Sequence, residues 1–393
     1  MHLWLISFCL AVLCLPACQT PQQTADEASN ADTTQLATEQ RWSEQKAQAW
    51  SAEQPWLVGA NFVPSNAINQ LEMWQADTWS PELIDKELGW AADLGMNTMR
   101  VYLHDIPYRA DSEGFKQRID AFLAICQGHN IRPMLVIFDS VWDPYPKAGT
   151  QPEPVRGLHN SGWVQSPGAD YLTDSTRWGE LRAYVVDVLS HFRDDKRILA
   201  WDLVNEPDND NASSYGRNNK QLEPDNKKAL GVALVKQAFA WAREANPSQP
   251  ITSAPWYGDW SSLDSMSEMD RFLFTRSDII TFHCYGPPED FQERVQHLQP
   301  FNRPMLCTEY MARPEGSTFQ DILPIAKEHK IGMISWGLVA GKSNTLYPWD
   351  SWQQAYQDEP PEWFHDIFRG DGSAYRPEET TFIQEVMGAA RQE

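Results

Sequence analysis

The sequence predicts an α/β fold of the (β/α)8 TIM-barrel type with long βα loops, preceded by a signal peptide and a flexible tether. Three observations predict the barrel. From Trp56 onward, short apolar runs alternate eight times with segments of helical period, the pattern of a parallel sheet closed on itself with helices outside. After the first run the chain reads Gly59-Ala60-Asn61-Phe62-Val63-Pro64, which lacks the glycine-rich phosphate turn of an open, doubly wound sheet. The body also exceeds the ~250 residues of a minimal barrel, and its surplus falls in connections that follow strands: 139–176, 207–225 and 337–360.

The elements follow in chain order. Leu3 to Leu15 form an almost uninterrupted apolar run, too short to cross a bilayer, so residues 1–17 read as a signal peptide. The run ends in Leu15-Pro16-Ala17-Cys18, which resembles a bacterial lipoprotein box. That resemblance implies lipidation of Cys18 and a periplasmic or outer-membrane, cell-surface location. Residues 18–55 are rich in Gln, Thr, Ala, Ser and Glu and read as a tether, with a weak helical pattern from Arg41 to Trp50. Residues 56–393 form the barrel domain. Its strands are expected at 57–62, 98–103, 133–138, 199–204, 251–254, 279–283, 305–308 and 332–336. Helical patterns run over 81–94, with Ser80 as N-cap and Gly95 as C-cap, and over 113–127, 178–192 and 226–245.

Composition excludes several partners. With 32 basic and 54 acidic residues the net charge is −22, so a nucleic-acid or anionic-membrane surface is not expected. An apolar share of 42% suffices for a core. Three of the six cysteines lie in the export segment, leaving Cys126, Cys284 and Cys307 as buried free thiols rather than a disulfide framework. The 18 tryptophans divide in two. Trp90, Trp201 and Trp241 fall within helices or strands as packing, whereas Trp142, Trp163, Trp256, Trp260, Trp349 and Trp352 fall in βα loops, where barrel enzymes place their sites.

Two carboxylates end strands: Glu206 in Val204-Asn205-Glu206-Pro207 and Glu309 in Cys307-Thr308-Glu309-Tyr310. The fourth and seventh strands of an eight-stranded barrel stand almost opposite, so both carboxylates would face each other across the mouth. Retaining glycoside hydrolysis needs such a pair about 5 Å apart.

Here the chain resembles the retaining glycoside hydrolases of clan A, most closely the family 5 cellulase-like enzymes, over the whole body from Trp56. The resemblance implies Glu206 as acid/base and Glu309 as nucleophile. It also implies substrate-site roles for Asn205 at the sugar 2-hydroxyl, for Arg100 on the nucleophile, for the His-x-Tyr element His283-Cys284-Tyr285, and for Trp336 as the floor under the reacting sugar. One departure stands out: where the family often carries a His after the third strand, this chain reads Phe138-Asp139-Ser140-Val141-Trp142. Trp142, Trp256 and Trp349 are expected as further sugar-stacking surfaces.

Residue order adds two geometric expectations. Strict alternation would aim adjacent Asn205 and Glu206 to opposite faces, so both serve only if the backbone leaves regular geometry there. Cys307 shares the parity of Glu309 while Cys284 opposes that of His283, so the two thiols should not face one another. Arg100 and Tyr285 would hold Glu309 as the carboxylate and leave Glu206 protonated.

Other chemistries fit less well. The first strand offers Asn61-Phe62-Val63 and no His-x-His metal pair, and a Gly-x-Ser-x-Gly elbow is missing. The sequence therefore predicts a retaining β-glycosidase, endo or exo, acting on a neutral glucan, mannan or xylan. No cofactor, metal or nucleic acid is expected, the membrane would be reached only through Cys18, and the enzyme is expected to be a monomer. The alternative is an inactive surface glycan-binding lipoprotein on the same barrel.

Overall fold

The computed structural model describes residues 41–211 and 223–388. The signal peptide, Cys18, most of the tether and the middle of the loop after the fourth strand lie outside the described residues. Eight parallel strands form one sheet: β1 (Val58–Asn61), β2 (Thr98–Tyr102), β3 (Met134–Asp139), β4 (Ala200–Asn205), β5 (Ile251–Thr252), β6 (Ile280–His283), β7 (Met305–Glu309) and β8 (Gly332–Ser335). Their order, β5-β4-β3-β2-β1-β8-β7-β6, wraps the first strand onto the last. Every expected strand is present. β5 is shorter than expected, ending at Thr252 before Pro255.

The long helices also stand where the period placed them, at Pro81–Asp93, Ser112–Gly128, Trp178–His191 and Lys227–Ala245. Gly95 takes φ +82° after the first of these, the left-handed conformation that ends helices. Ser80 occupies the N-cap, but its side chain makes no capping bond. Its hydroxyl accepts instead from Asn66 Nδ2 at 3.0 Å, and Pro81 starts the helix with a residue that has no N–H to satisfy.

The barrel closes between β5 and β6 through one backbone bond and several side-chain bonds. The Asp278 N–H donates to Ile251 O at 2.9 Å, and the Ile251 N–H returns a bond to Asp278 Oδ2 at 2.9 Å. The Thr252 and Thr281 hydroxyls meet at 2.8 Å. Arg243 grips Asp278 with both terminal nitrogens, at 2.9 and 2.8 Å, a bidentate geometry.

The N-terminal boundary corrects the expected tether. Residues 41–55 are packed, with a helix at Glu44–Ala52 capped by Ser43. Trp42 is buried, and its N–H donates to Asp278 Oδ1 at 2.8 Å. Arg41 donates to Ser277 O and Phe274 O at 2.8 and 2.9 Å. The weak helical pattern from Arg41 to Trp50 marked this element, but its contacts are long-range. Among the described residues no helix is long and apolar enough to cross a membrane.

The barrel interior is layered. Leu57, Met134, Leu199, Ile279, Leu306 and Ile334 fill its floor, with Trp50 from the N-terminal helix against them. Above that floor the interior turns polar around Arg100, Asp202 and the two glutamates, all buried.

Candidate active site

Local geometry aims each functional side chain. β4 ends at Asn205, and Glu206 adopts φ +45°, a conformation costly for a residue with a Cβ. The expected departure from regular strand geometry is thus present. Asn205 reaches the interior because alternation resets one step earlier: Leu203 and Val204 both pack in the outer hydrophobic layer, and Asn205 then faces inward.

A second reset on β7 overturns the expectation about the thiols. Phe282 pairs with Cys307 but His283 pairs with Glu309, so the register shifts by one residue at Thr308. Cys307 therefore joins Cys284 in the outer layer while Glu309 points inward. Both remain free and buried, as does Cys126, and burial pushes the Cys284 and Cys307 thiols up.

Arg100 organises the centre. Its Nη1 donates to Glu309 Oε1 at 2.6 Å and to Asn61 Oδ1 at 3.0 Å. Its Nε and Nη2 reach Asp202 Oδ2 at 3.0 and 2.8 Å, and Nη2 also reaches Asn205 Oδ1 at 2.7 Å. Arg100 also donates to the Tyr102 hydroxyl, which donates to Glu309 Oε1 at 2.8 Å. Tyr285 donates to the other oxygen, Oε2, at 2.8 Å. Glu309 thus receives two hydroxyls and one guanidinium.

Glu206 has sparser company. Its Oε1 lies 2.7 Å from His283 Nδ1, and its Oε2 accepts from Asn209 Nδ2 at 2.8 Å. Burial raises the Glu206 carboxyl to about 8 and lowers His283 to about 4, so near neutrality both groups are uncharged. Burial raises Glu309 as well, and Glu206 adds to that. His283, the Arg100 contact and the Tyr285 hydroxyl oppose the rise.

Glu206, His283 and Glu309 each present a ligand-type atom within 4.8 Å of the other two. This is the trio that could hold a metal ion among the described residues. The Arg100 guanidinium 2.6 Å from Glu309 opposes a second cation at that carboxylate.

The cavity above these carboxylates has a volume of about 300 Å3 and is lined by Trp142, Asn205, Glu206, Trp256, Tyr285, Glu309, Trp336 and Trp349 among others. Of the expected site residues, Arg100 and His283 lie beneath it, within hydrogen-bonding distance of the glutamates, and the other eight line it. Trp163, Trp260 and Trp352, expected on the loop surface, are buried packing instead. Trp352 stacks on Trp142 at 5.5 Å, and Trp163 Nε1 donates to Asp139 Oδ2 at 2.6 Å.

Sequence reasoning missed several partners. Tyr102 shares the parity of Arg100 on β2, and a period of two would have found it. Asp139, at the position where the resemblance led to a His, accepts from Asn205 Nδ2 at 2.9 Å and from Gln70 Nε2 at 3.0 Å; burial raises it to about 7. Asp202, Asn61 and Asn209 carry no local signal. They converge through the barrel alone.

Comparison with known proteins adds independent findings. Residues 158–267 match the model of Glycosyl hydrolase family 10, a stretch that includes Glu206 and ends before Glu309. The chain is 26% identical over 176 residues to mannan endo-1,4-β-mannosidase 8 of Oryza sativa subsp. japonica, covering 40% of this chain and 46% of that protein. It is also 26% identical over 124 residues to a β-1,4-xylanase of Dictyoglomus thermophilum, covering 31% and 32%. The matched stretches thus span less than half of either relative. The fold is similar to that of the hyperthermostable endo-1,4-β-D-mannanase of Thermotoga petrophila RKU-1, with a TM-score of 0.51 at 17% identity over 85% of this chain and 99% of that one. The partial family match and the two relatives are thus all similarities to glycoside hydrolases, whereas the barrel shared with the mannanase is a likeness of fold alone.

Proposed function

We propose that the chain is a retaining β-glycoside hydrolase with a family 5 type site, cleaving a neutral oligo- or polysaccharide by double displacement. One observation carries this reading: carboxylate oxygens of Glu206 and Glu309 stand within 4.8 Å of one another across the barrel mouth. Retaining enzymes hold their carboxyl pair about 5–5.5 Å apart, whereas inverting ones leave about 6.5–9.5 Å for a water.

Unequal surroundings divide the roles. Glu309, ionised beside Arg100, attacks the anomeric carbon as Glu206 donates its proton to the departing glycosidic oxygen and the C–O bond breaks. Esterification removes the Glu309 charge, so Glu206 can ionise and take a proton from the water that releases the sugar. Two relatives, one named a mannanase and the other a xylanase, favour a β-1,4-linked mannan or xylan type of substrate, with glucan as the third class to assay. The aromatic lining of the cavity suits the apolar faces of pyranose rings.

The test uses activated aryl β-glycosides. Glu206→Ala should lose turnover on poor leaving groups and regain it with azide, yielding a β-glycosyl azide. Glu309→Gln should lose at least 10³-fold in kcat, and an inverted azide product or a fully active Glu309→Gln would sink the assignment. For the unmodified enzyme, kcat/KM should fall as pH rises through about 8, where Glu206 loses its acidic proton.

A further inference from the structure

We infer that the site acts on chain ends: it takes the non-reducing terminal sugar of a β-linked oligosaccharide and releases it singly. The inference rests on the retaining-hydrolase reading above. Its basis is a wall made by three loops that interlock on one side of the cavity.

The loop after β3 and the loop after β8 are joined by backbone and side-chain bonds. Asn160 N–H donates to Ser343 O at 3.0 Å, and Tyr356 N–H donates to Gly157 O at 2.9 Å. His159 N–H donates to Ser351 Oγ at 3.0 Å, and its ring Nδ1 meets Tyr347 O at 2.8 Å. The fit is close, because a Cβ on Gly157 would come 1.8 Å from Tyr356 O. The loop after β1 joins them, since Asn69 Nδ2 donates to Gly162 O at 2.8 Å and Lys342 N–H donates to Ser65 O at 2.9 Å.

This wall abuts the glycone position. Trp336, the floor of the reacting sugar in the proposed site, packs edge-on to Tyr102 and Trp163, each at 5.8 Å, on the walled side. Trp256, Tyr285 and Trp349, whose rings pack against one another at 5.1 to 6.1 Å, line both this cavity and a second one of about 270 Å3 beside β6. A sugar over Trp336 therefore has protein beyond its non-reducing end.

The wall also carries groups suited to read a terminal sugar. Asn160 is 1% exposed and lines the cavity, yet its Oδ1 has no hydrogen-bond partner. His365, fully buried, faces the same cavity. Its Nδ1 lies 2.5 Å from Met311 O, so that nitrogen carries the hydrogen and Nε2, which also lacks a partner, is an acceptor. Two unpaired buried acceptors match hydroxyls that an internal sugar, substituted at its linkage position, would present incompletely.

The experiment digests β-1,4-linked mannopentaose, xylopentaose and cellopentaose, each tagged at the reducing end, with aryl β-glycosides as a control for the chemistry. The expected result is a tagged tetraose and an untagged monosaccharide as the first products from one of the three. Asn160→Gly, which suits the φ of +48° at that position, should raise KM about tenfold on that pentaose, the loss of one hydrogen bond. Cleaved aryl glycosides with pentaoses cut internally or left intact would overturn terminal action. Asn160→Gly with unchanged KM and products would overturn the reading group, and inert aryl glycosides would overturn the hydrolase reading on which both rest.

Discussion

Arg100 draws acceptors from four strands to one point: Asn61 on β1, Tyr102 on β2, Asp202 and Asn205 on β4, and Glu309 on β7. Deleting it would leave Asp202 and Glu309 as unpaired buried charges, a loss of roughly 3–5 kcal/mol that confounds activity with folding. Tyr102 offers a cleaner probe, because Tyr102→Phe keeps the ring against Trp163 and Trp336 and removes only the hydroxyl that bridges Arg100 and Glu309. A hydrogen bond to a charged group contributes about 1.5–3 kcal/mol. Tyr102→Phe should therefore lower kcat/KM about 10- to 100-fold and leave the melting temperature within a few degrees. An unchanged kcat/KM would show that Glu309 does not depend on that hydroxyl.

Among the elements, the segment 41–55 changes most between expectation and structure. Composition assigns it to the tether, yet Trp42 and Arg41 bind the strand-entry residues 274–278, beside the seam where side chains close β5 onto β6. Asp278 links both, accepting from Trp42, Ile251 and Arg243. A chain starting at Arg41 should melt with the full-length protein, whereas one starting at Trp56 should melt several degrees lower, since losing a buried tryptophan alone costs about 3–5 kcal/mol. Equal melting temperatures would mean that the segment is merely resting on the barrel.

At the scale of the whole molecule, acidity and burial act together. Burial raises five carboxyl groups far above their range in an unfolded chain: Asp208 to about 6, Glu87, Asp139 and Asp366 to about 7, and Glu206 to about 8. Between about pH 4 and these values the carboxyls hold protons that the unfolded chain has lost, so their contribution to stability falls as pH rises; buried His159 and His283, held at about 4, oppose this only below about pH 6.5. Asp105, where burial is outweighed by His104 and Arg109, is held at about 2; its contribution is lost only as pH falls below about 4. The net charge of −22 adds self-repulsion in the same direction as the raised carboxyls. The melting temperature should therefore be lower at pH 8.5 than at pH 5.5, and a flat or rising profile would contradict this accounting.

The barrel itself was legible in the sequence, because apolar periodicity and loop length are local properties that survive without coordinates. The eight runs, the four long helices and the strand-end glutamates all lie where the apolar pattern put them. Parity failed where strands irregularly shift, at Val204 and at Thr308, since a reset of the pleat depends on the neighbouring strand and leaves no mark in residue order. The same reason separates the tryptophans: Trp142 and Trp352 read alike as loop residues, but one lines the cavity and the other is buried beneath it. The sequence alone thus determined the chemistry available at the barrel mouth. Only the tertiary structure decided which loops wall it and which polar atoms stay unpaired there, because those depend on contacts between segments as far apart in the chain as Ser65 and Lys342.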